Sequence, residues 1–225
     1  MRGNSKGIPR KNLVDLGGRP LLEYTIRQAI ENDLITRVVV STEDPEIAEH
    51  SKEFGAEIPF LRPAHLSEDD TPGIDPILHC LDELEQTGYR PDFCTLLQVT
   101  SPFRSESDLT GSIQLMLANP NKSVVSVRPS RDHPAWSYVM AEDSSLEPCM
   151  PGPQAKRRQD LTPVFMLNGA FYGSPLSLLL QRKGWVCENT LGFSMSEENS
   201  LDIDTMQDLE WARCIMETRG DFPEK

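Results

Sequence analysis

The first twelve residues, MRGNSKGIPRKN, combine four cationic side chains with small and polar ones. The cations are Arg2, Lys6, Arg10 and Lys11, and they are interspersed with Gly3, Ser5, Gly7 and Asn12. Glycines let backbone N–H groups turn toward an anion, and cations neutralise its charge. Because the chain has a formal net charge of −13, this basic loop stands out and predicts a polyphosphate site. The alternative interpretation is a frayed basic N-terminus.

Two carboxylates one residue apart, Asp202 and Asp204, lie near the other end of the chain in LDIDTMQD. Side chains at positions i and i+2 of an extended segment point the same way. Paired carboxylate oxygens suit a hard cation, here Mg²⁺ bridging to a triphosphate. The alternative is that Asp204 caps the last helix. Thr205 with Asp208 supplies a capping-box-like start of its own, which leaves Asp204 free for metal.

Strands and helices must position these groups, and they are predicted from short apolar runs and from residues that typically begin or end helices. The runs predict strands at Arg37–Thr42, Cys94–Val99 and Ser123–Val127, each covered on both faces. Helices are predicted after Pro20, from Asp44-Pro45 to Gly55, from Asp75-Pro76 to Gly88, and at about 106–118 and 205–218. The alternation predicts an α/β fold with a doubly wound, mostly parallel sheet. No strand precedes the basic loop, so we expect the first strand to be missing.

A loop-rich insert at approximately 128–163 interrupts a chain that otherwise has the pattern of one domain, 1–225. It contains Lys156-Arg157-Arg158. The guanidinium fork of Arg158 suits a carboxylate or a phosphate. A solvated basic patch, or an ion pair at a dimer interface, is the alternative interpretation.

Composition excludes several classes of protein. A net charge of −13 argues against non-specific nucleic-acid binding, which needs a basic surface. No apolar run approaches the length of about 18 residues typical of a membrane span. The five cysteines are scattered, without a C-x-x-C pair, which favours reduced thiols. We therefore expect a cytoplasmic protein without a membrane or nucleic-acid partner.

The loop RGNSKGIPRKN resembles the signature R-x-x-S-K-G-x-P-x-K-N of the acylneuraminate cytidylyltransferases, the CMP-sialic acid synthetases. Every fixed position of that pattern is present. The similarity continues in order through Arg62-Pro63-Ala64, Leu97-Gln98-x-Thr100-Ser101-Pro102, Arg158-Gln159, Asn168-Gly169-Ala170-x-Tyr172 and Asp202-Ile203-Asp204. It covers nearly the whole chain and implies the fold of nucleotide-diphospho-sugar transferases, with the insert as a dimerisation element.

The resemblance implies a role for each matching residue. It assigns CTP phosphates and neighbouring groups to Arg2, Gly3, Lys6, Lys11 and Asn12, and further substrate contacts to Arg62, Thr71, Gln98, Asn168 and Tyr172. Arg158, Lys11 and Lys6 become the catalytic cations, and Asp202 and Asp204 the Mg²⁺ ligands. Trp185 lies where similar enzymes place aromatic residues against the sugar's acyl group. Gly73 falls where a serine that contacts the nucleotide is common, so that contact is not expected here.

The activity that the resemblance implies is transfer of CMP from CTP to the anomeric hydroxyl of a sialic-acid-type nonulosonic acid, with release of pyrophosphate. Members of the family commonly form homodimers. The same reaction on pseudaminic, legionaminic or 3-deoxy-octulosonic acid is an alternative. A second alternative is a nucleotide-binding protein without turnover, since the first strand is absent and the loop at 70–73 is altered.

Overall fold

Six α-helices occur in the part of the chain that the computed structural model describes, residues 1–3, 7–150 and 157–220. Five of them confirm the helices predicted from the sequence, and the short helix after Pro175 was not predicted. The helices are α1 (Leu21–Ile30), α2 (Pro45–Glu53), α3 (Asp75–Gln86), α4 (Glu106–Leu117), α5 (Leu176–Arg182) and α6 (Met206–Arg219). None of these described helices is long and apolar enough to cross a lipid bilayer.

Local side chains fix where several helices begin. Asp44 accepts hydrogen bonds from two backbone N–H groups at the start of α2, and α4 begins with a capping box of Ser105 and Asp108. A second capping box, of Thr205 and Asp208, opens α6. Caps of this kind satisfy N–H groups that have no partner within the helix. The start of α6 therefore lies directly after the aspartate pair.

The main sheet has four strands in the order β3 (Phe93–Leu96), β7 (Phe165–Pro175), β4 (Val124–Pro129) and β8 (Leu191–Ser194). β4 and β8 are parallel, whereas β7 is antiparallel to both β3 and β4. Two short hairpins, β1 (Asp15–Leu16) with β2 (Arg19–Pro20) and β5 (Tyr138–Met140) with β6 (Leu146–Pro148), lie outside this sheet. The alternation of helices and strands confirms the α/β class.

The segment predicted as a strand over Arg37–Thr42 pairs only at one parallel bridge, between Val39 and Glu57. A strand assignment needs consecutive paired residues, and here only Val38 and Val40 exchange hydrogen bonds with Glu57. The segment is extended at its bridge, as predicted, but the prediction of a continuously paired strand was wrong. The opposite edge of this segment borders a cavity.

The largest core cluster draws from both ends of the chain. Ile8, from the basic loop, is 1% exposed, and Ile203, from between the two aspartates, is 0% exposed in the same cluster. Leu209 and Met216 of α6 join them there. Burying an isoleucine side chain contributes about 1.5–3 kcal/mol. This shared burial holds the two ends of the sequence together.

Candidate active site

The basic loop and the aspartate pair meet. The ammonium of Lys11 donates a hydrogen bond of 2.6 Å to Oδ1 of Asp204. The backbone of Gly7, the residue before Ile8, packs closely against Asp204. A Cβ atom at Gly7 would overlap the carbonyl oxygen of Asp204. Two residue groups almost 200 positions apart in the chain therefore form one site, as the sequence predicted.

Asp202 is the more buried of the two carboxylates. Burial raises its pKa, the charge of Asp204 adds to the rise, and a hydrogen bond from Thr100 and the charge of Lys11 oppose it. Its Oδ1 atom is enclosed and has no hydrogen-bond partner among the described residues. An enclosed carboxylate oxygen without a donor is a position that a bound cation would satisfy.

The capping box at the start of α6 leaves Asp204 available. Thr205 accepts the hydrogen bond from the Asp208 backbone, and the Asp208 carboxylate accepts from the N–H groups of Asp204 and Thr205. The side chain of Asp204 is 66% exposed and contacts Lys11 instead. The prediction that this helix has its own cap is confirmed.

Tyr172 lies close enough to Asp202 for the two to interact electrostatically. Burial raises the pKa of the Tyr172 phenol, and the negative charge of Asp202 raises it further. The rings of Tyr172 and Trp185 lie 6.0 Å apart, centroid to centroid, in a tilted arrangement. The two aromatic residues that the resemblance associates with the substrate therefore lie together, with Tyr172 near Asp202 and Trp185 packed against the core cluster of Leu81, Leu176 and Leu179.

Hydrogen bonds within the basic loop fix its course. The amide of Asn12 donates to the backbone oxygen of Arg2 at 2.7 Å, and the Arg2 guanidinium pairs with Asp69 at 2.7 Å. Arg10 pairs with Asp44 at 2.9 Å and with Glu46. Lys6, predicted to hold phosphate, lies outside the described residues.

Glu43 organises the loop, and sequence reasoning missed it. Its carboxylate accepts hydrogen bonds from the N–H of Gly3 at 2.7 Å, from Arg62 at 2.9 Å and from Ser67 at 2.7 Å. Burial alone would raise its pKa, but these donors outweigh burial and lower the pKa to about 2. No pattern in the sequence singled out Glu43, and only its hydrogen-bond partners reveal its role.

Arg62 was predicted to contact the nucleotide. In the structure its side chain is buried and joins Met1 to Glu43. One of its terminal nitrogens donates to both Glu43 and the backbone oxygen of Met1. Its Nε atom is enclosed without a partner among the described residues. The side chain thus ties the start of the loop to residue 43, and a direct nucleotide contact stays a prediction.

Arg104 joins the segment just after β3, which carries Gln98, to the irregularly paired part of β7, which carries Asn168. The buried guanidinium of Arg104 donates to the backbone oxygens of Gln98 and Ala170 at 3.2 and 2.6 Å. The Gln98 side chain lies against Gly169, where a Cβ would overlap it. The Asn168 amide is 4% exposed and bonds to Ser126 and Ser200. Asn168 thus orders this part of β7, and its predicted substrate contact stays a prediction.

Two other predicted site residues lie apart from this cluster in their contacts. The Thr71 hydroxyl donates to the backbone oxygen of His65 at 2.9 Å. In the insert, Arg158 donates to the backbone oxygen of Arg131 and lies 5.8 Å from the ring centroid of Trp136. Neither contact joins these residues to Lys11 or to the aspartates, so their catalytic or substrate-binding roles stay predictions.

Comparison with known proteins decides the family. The family model described as "Cytidylyltransferase" matches residues 1–135. The chain belongs to the cytidylyltransferase family. It is 30% identical to a CMP-N,N'-diacetyllegionaminic acid synthase of Legionella pneumophila, over 96% of this chain and 93% of the relative. It is 28% identical to a pseudaminic acid cytidylyltransferase of Campylobacter jejuni, over 95% and 92% of the two chains.

Solved structures agree on the fold of this cytidylyltransferase. A CMP:2-keto-3-deoxy-manno-octonic acid synthetase in complex with CTP superposes with a TM-score of 0.73, at 17% identity, over 97% of this chain and 96% of that one. A 4-diphosphocytidyl-2C-methyl-D-erythritol synthase gives 0.67 at 14% identity, over 92% of each chain. The family makes the chain a nucleotidyltransferase, which confirms the class of enzyme predicted from the sequence.

Replacing Gly7 with alanine tests the close contact with Asp204. The new methyl group would overlap a backbone oxygen that cannot rotate away, so the loop must shift. We expect Gly7→Ala to reduce CTP-dependent pyrophosphate release at least about tenfold. Gly73→Ala is the control, because a Cβ at Gly73 meets nothing within 4 Å. Equal activity of the two variants would contradict the close packing of loop and aspartates.

Replacing Glu43 with glutamine tests its role as the organiser of the loop. A carboxyl group with a folded pKa of about 2 and an unfolded value of 4.5 stabilises the fold above pH 4.5 and loses this contribution as the pH falls toward 2. At pH 7, we expect Glu43→Gln to lower the free energy of unfolding by about 2 kcal/mol after allowance for solvent screening.

Denaturant titrations from pH 7 to pH 3 measure this difference, which should shrink below pH 4.5. Glu46→Gln is the control, since it neutralises a nearby carboxylate in the first turn of α2 that is 60% exposed and pairs with Arg10 at the surface. Its effect should stay within about 0.5 kcal/mol. A Glu43 variant as stable as the Glu46 variant at pH 7 would show that Glu43 does not organise the loop.

Proposed function

We propose that this cytidylyltransferase transfers CMP from CTP to the anomeric hydroxyl of an acidic nine-carbon sugar and releases pyrophosphate. The observation that carries the proposal is the contact of Lys11 with Asp204 beside the enclosed carboxylate of Asp202. At this place Lys11 can bind the phosphates of CTP directly, and the two carboxylates can hold a cation that binds the same phosphates. The printed names of the relatives, which include pseudaminic and diacetyllegionaminic acid enzymes, support the class of sugar.

Mg²⁺ is the cofactor we propose for Asp202 and Asp204. The enclosed Oδ1 of Asp202 and the repulsion between the two carboxylates fit a divalent cation. No cluster of three His, Cys, Asp or Glu side chains suited to a metal occurs among residues 1–3, 7–150 and 157–220. Two carboxylates fit Mg²⁺ nonetheless, because this ion usually keeps waters and binds substrate phosphates as well. When bound, it would supply charge neutralisation on the triphosphate.

The reaction forms one bond and breaks one. The anomeric oxygen forms a bond to the α-phosphorus, the bond from that phosphorus to the bridging oxygen breaks, and pyrophosphate leaves with the bond's electron pair. The sugar hydroxyl gives up its proton to solvent or to a base. Lys11 and Arg2 offset the phosphate charge, while Tyr172 and Trp185 face the sugar. Positioning and charge stabilisation of this kind dominate phosphoryl-type transfer.

The insert is proposed to complete the site as part of a homodimer. Its hairpin β5–β6 exposes large apolar side chains, with Met140 69%, Val139 60% and Leu146 60% exposed. Clustered apolar side chains on a surface mark interaction sites. Arg158 follows on the same insert, where its guanidinium would meet the sugar carboxylate or the α-phosphate. The second copy of the chain is therefore the partner that we propose for this surface.

Removing one carboxylate at a time tests the reaction. We expect Asp202→Asn and Asp204→Asn each to reduce CTP-dependent pyrophosphate release by about 10²–10³-fold, because each loses charge where the metal and the phosphates meet. A chelator should have a similar effect on the wild type, reversed by excess Mg²⁺. Asp33→Asn, on an exposed turn, is the matched control and should remain active.

The assay uses pseudaminic, legionaminic, N-acetylneuraminic and 3-deoxy-octulosonic acids in parallel. Turnover with one of the nine-carbon acids supports the proposal and names the sugar, whereas preference for the eight-carbon octulosonic acid would replace it. CTP binding in a calorimeter without turnover on any of these sugars would favour the protein without catalysis. Near-normal activity of both aspartate variants would reject the metal assignment.

Light scattering tests the dimer. The wild type should have twice the mass of the chain, and Val139→Asp should shift the population to monomer by placing a charge in an apolar interface. Val186→Asp is the control, because Val186 is 58% exposed but lies outside the insert. A monomeric wild type, or the same effect from both substitutions, would rule out the hairpin as the interface.

A further inference from the structure

The turn after β3 lies against the two aspartates, and its contact residue is Thr100. The backbone N–H of Ile203, between Asp202 and Asp204, donates to the carbonyl oxygen of Thr100 at 2.8 Å. The Thr100 side chain also makes a hydrogen bond to the Asp202 carboxylate. Thr100 therefore holds the aspartate segment at two points, one on the backbone and one on a side chain.

These two contacts restrict how the Asp202 carboxylate can turn. The χ2 torsion of an aspartate has a broad distribution, so without a donor the group settles in no single orientation. Hydrogen bonds to a metal-binding side chain fix its orientation and present its free lone pairs in one direction. Oδ1 of Asp202 is enclosed and keeps no hydrogen-bond partner among residues 1–3, 7–150 and 157–220. The contacts thus leave one oxygen of a held carboxylate open to a cation.

Hydrogen bonds from inside the protein brace the segment that carries this threonine. The carbonyl oxygen of Gln98 accepts from the Arg104 guanidinium at 3.2 Å and from the Thr25 hydroxyl at 3.3 Å. The carbonyl oxygen of Pro102 accepts from the Gln28 amide at 2.7 Å. Both Thr25 and Gln28 belong to α1, so one helix fixes the segment before and after the threonine. A side chain that orients a carboxylate needs such support.

Core packing does not account for the Thr100 hydroxyl. Val99, the residue before it, is 6% exposed and belongs to the largest core cluster. Thr100 is only partly buried, and its polar groups bond to Ile203 and Asp202. A valine at this position would fill nearly the same volume and keep the backbone bond. The hydroxyl can therefore be removed with little change in packing, and its loss bears on Asp202.

We propose that Thr100 is a positioning residue that holds the Asp202 carboxylate with Oδ1 available to the divalent cation. The inference rests on the proposed function, because it requires a cation at Asp202 and Asp204. In this role Thr100 contacts neither the cation nor the nucleotide and acts only through Asp202. Removing a hydrogen bond that orients a metal-binding side chain typically weakens metal affinity by about 10–100-fold. The hydroxyl should therefore govern how much the cation contributes to CTP binding, and not how the basic loop binds phosphate.

Calorimetric titration with CTP separates the cation from the nucleotide when it is done once with excess Mg²⁺ and once with a chelator. The ratio of the two dissociation constants measures how much the cation strengthens CTP binding. We expect Thr100→Val to lower this ratio about tenfold and to leave the affinity in chelator within about twofold of the wild type. Thr100→Ser keeps the hydroxyl and should restore the ratio, and a ratio as low as that of the valine variant would overturn the inference.

Thr110→Val is the matched control. It removes the hydroxyl of a partly buried threonine of α4, which accepts a hydrogen bond of 2.7 Å from Asn32. Its ratio should equal that of the wild type. Equal losses of affinity with and without Mg²⁺ in Thr100→Val would overturn the inference, because they would show a purely structural role.

Asp202→Asn in the same titrations distinguishes failure of the inference from failure of the proposed metal site. We expect a low ratio in this variant, because it loses a ligand of the cation. A low ratio in Asp202→Asn together with a wild-type ratio in Thr100→Val would overturn the inference alone. A wild-type ratio in Asp202→Asn would contradict the proposed cation site and the inference with it.

Discussion

The joint burial of Ile8 and Ile203 is the constraint on which the site depends. One isoleucine lies in the basic loop and the other between two aspartates, and both are almost fully enclosed in one core cluster. Their packing brings Lys11 within 2.6 Å of Asp204. The ion pair, with Asp204 largely exposed, contributes little stability of its own. The apolar contact therefore sets the geometry, and the charged groups are free to serve a ligand.

Electrostatic balance shapes the surroundings of this site. A chain with a net charge of −13 concentrates cations in the loop, and the partly buried carboxylates of Glu43 and Asp44 hold that loop in place. Glu43 binds Gly3 and Arg62, so its charge is neutralised inside the protein. Burial raises the pKa of Asp202, and the hydrogen bond from Thr100 and the charge of Lys11 do not offset that rise. The uncompensated charge thus lies where a cation and a triphosphate are proposed to bind.

Sequence predicted the features that depend on neighbouring residues. The caps of α2 and α6 and the extended form of residues 37–42 follow from local chemistry, and the loop motif indicated its partner aspartates. The antiparallel direction of β7, the role of Glu43 and the burial of Asn168 depend on residues distant in the chain. Asn168, for example, bonds to Ser126 and Ser200, and no local pattern encodes that pairing.

Lys11 and Asp202 are proposed to act on one bound nucleotide. A double-mutant cycle on the affinity for CTP, measured by calorimetry with Mg²⁺ present, tests whether they do. The wild type is compared with Lys11→Met, Asp202→Asn and the double variant. Groups that share a ligand should show a coupling energy of about 1 kcal/mol or more, whereas independent sites give additive effects within about 0.5 kcal/mol. We expect coupling between Lys11 and Asp202, and additive effects would show that the two residues do not share the nucleotide.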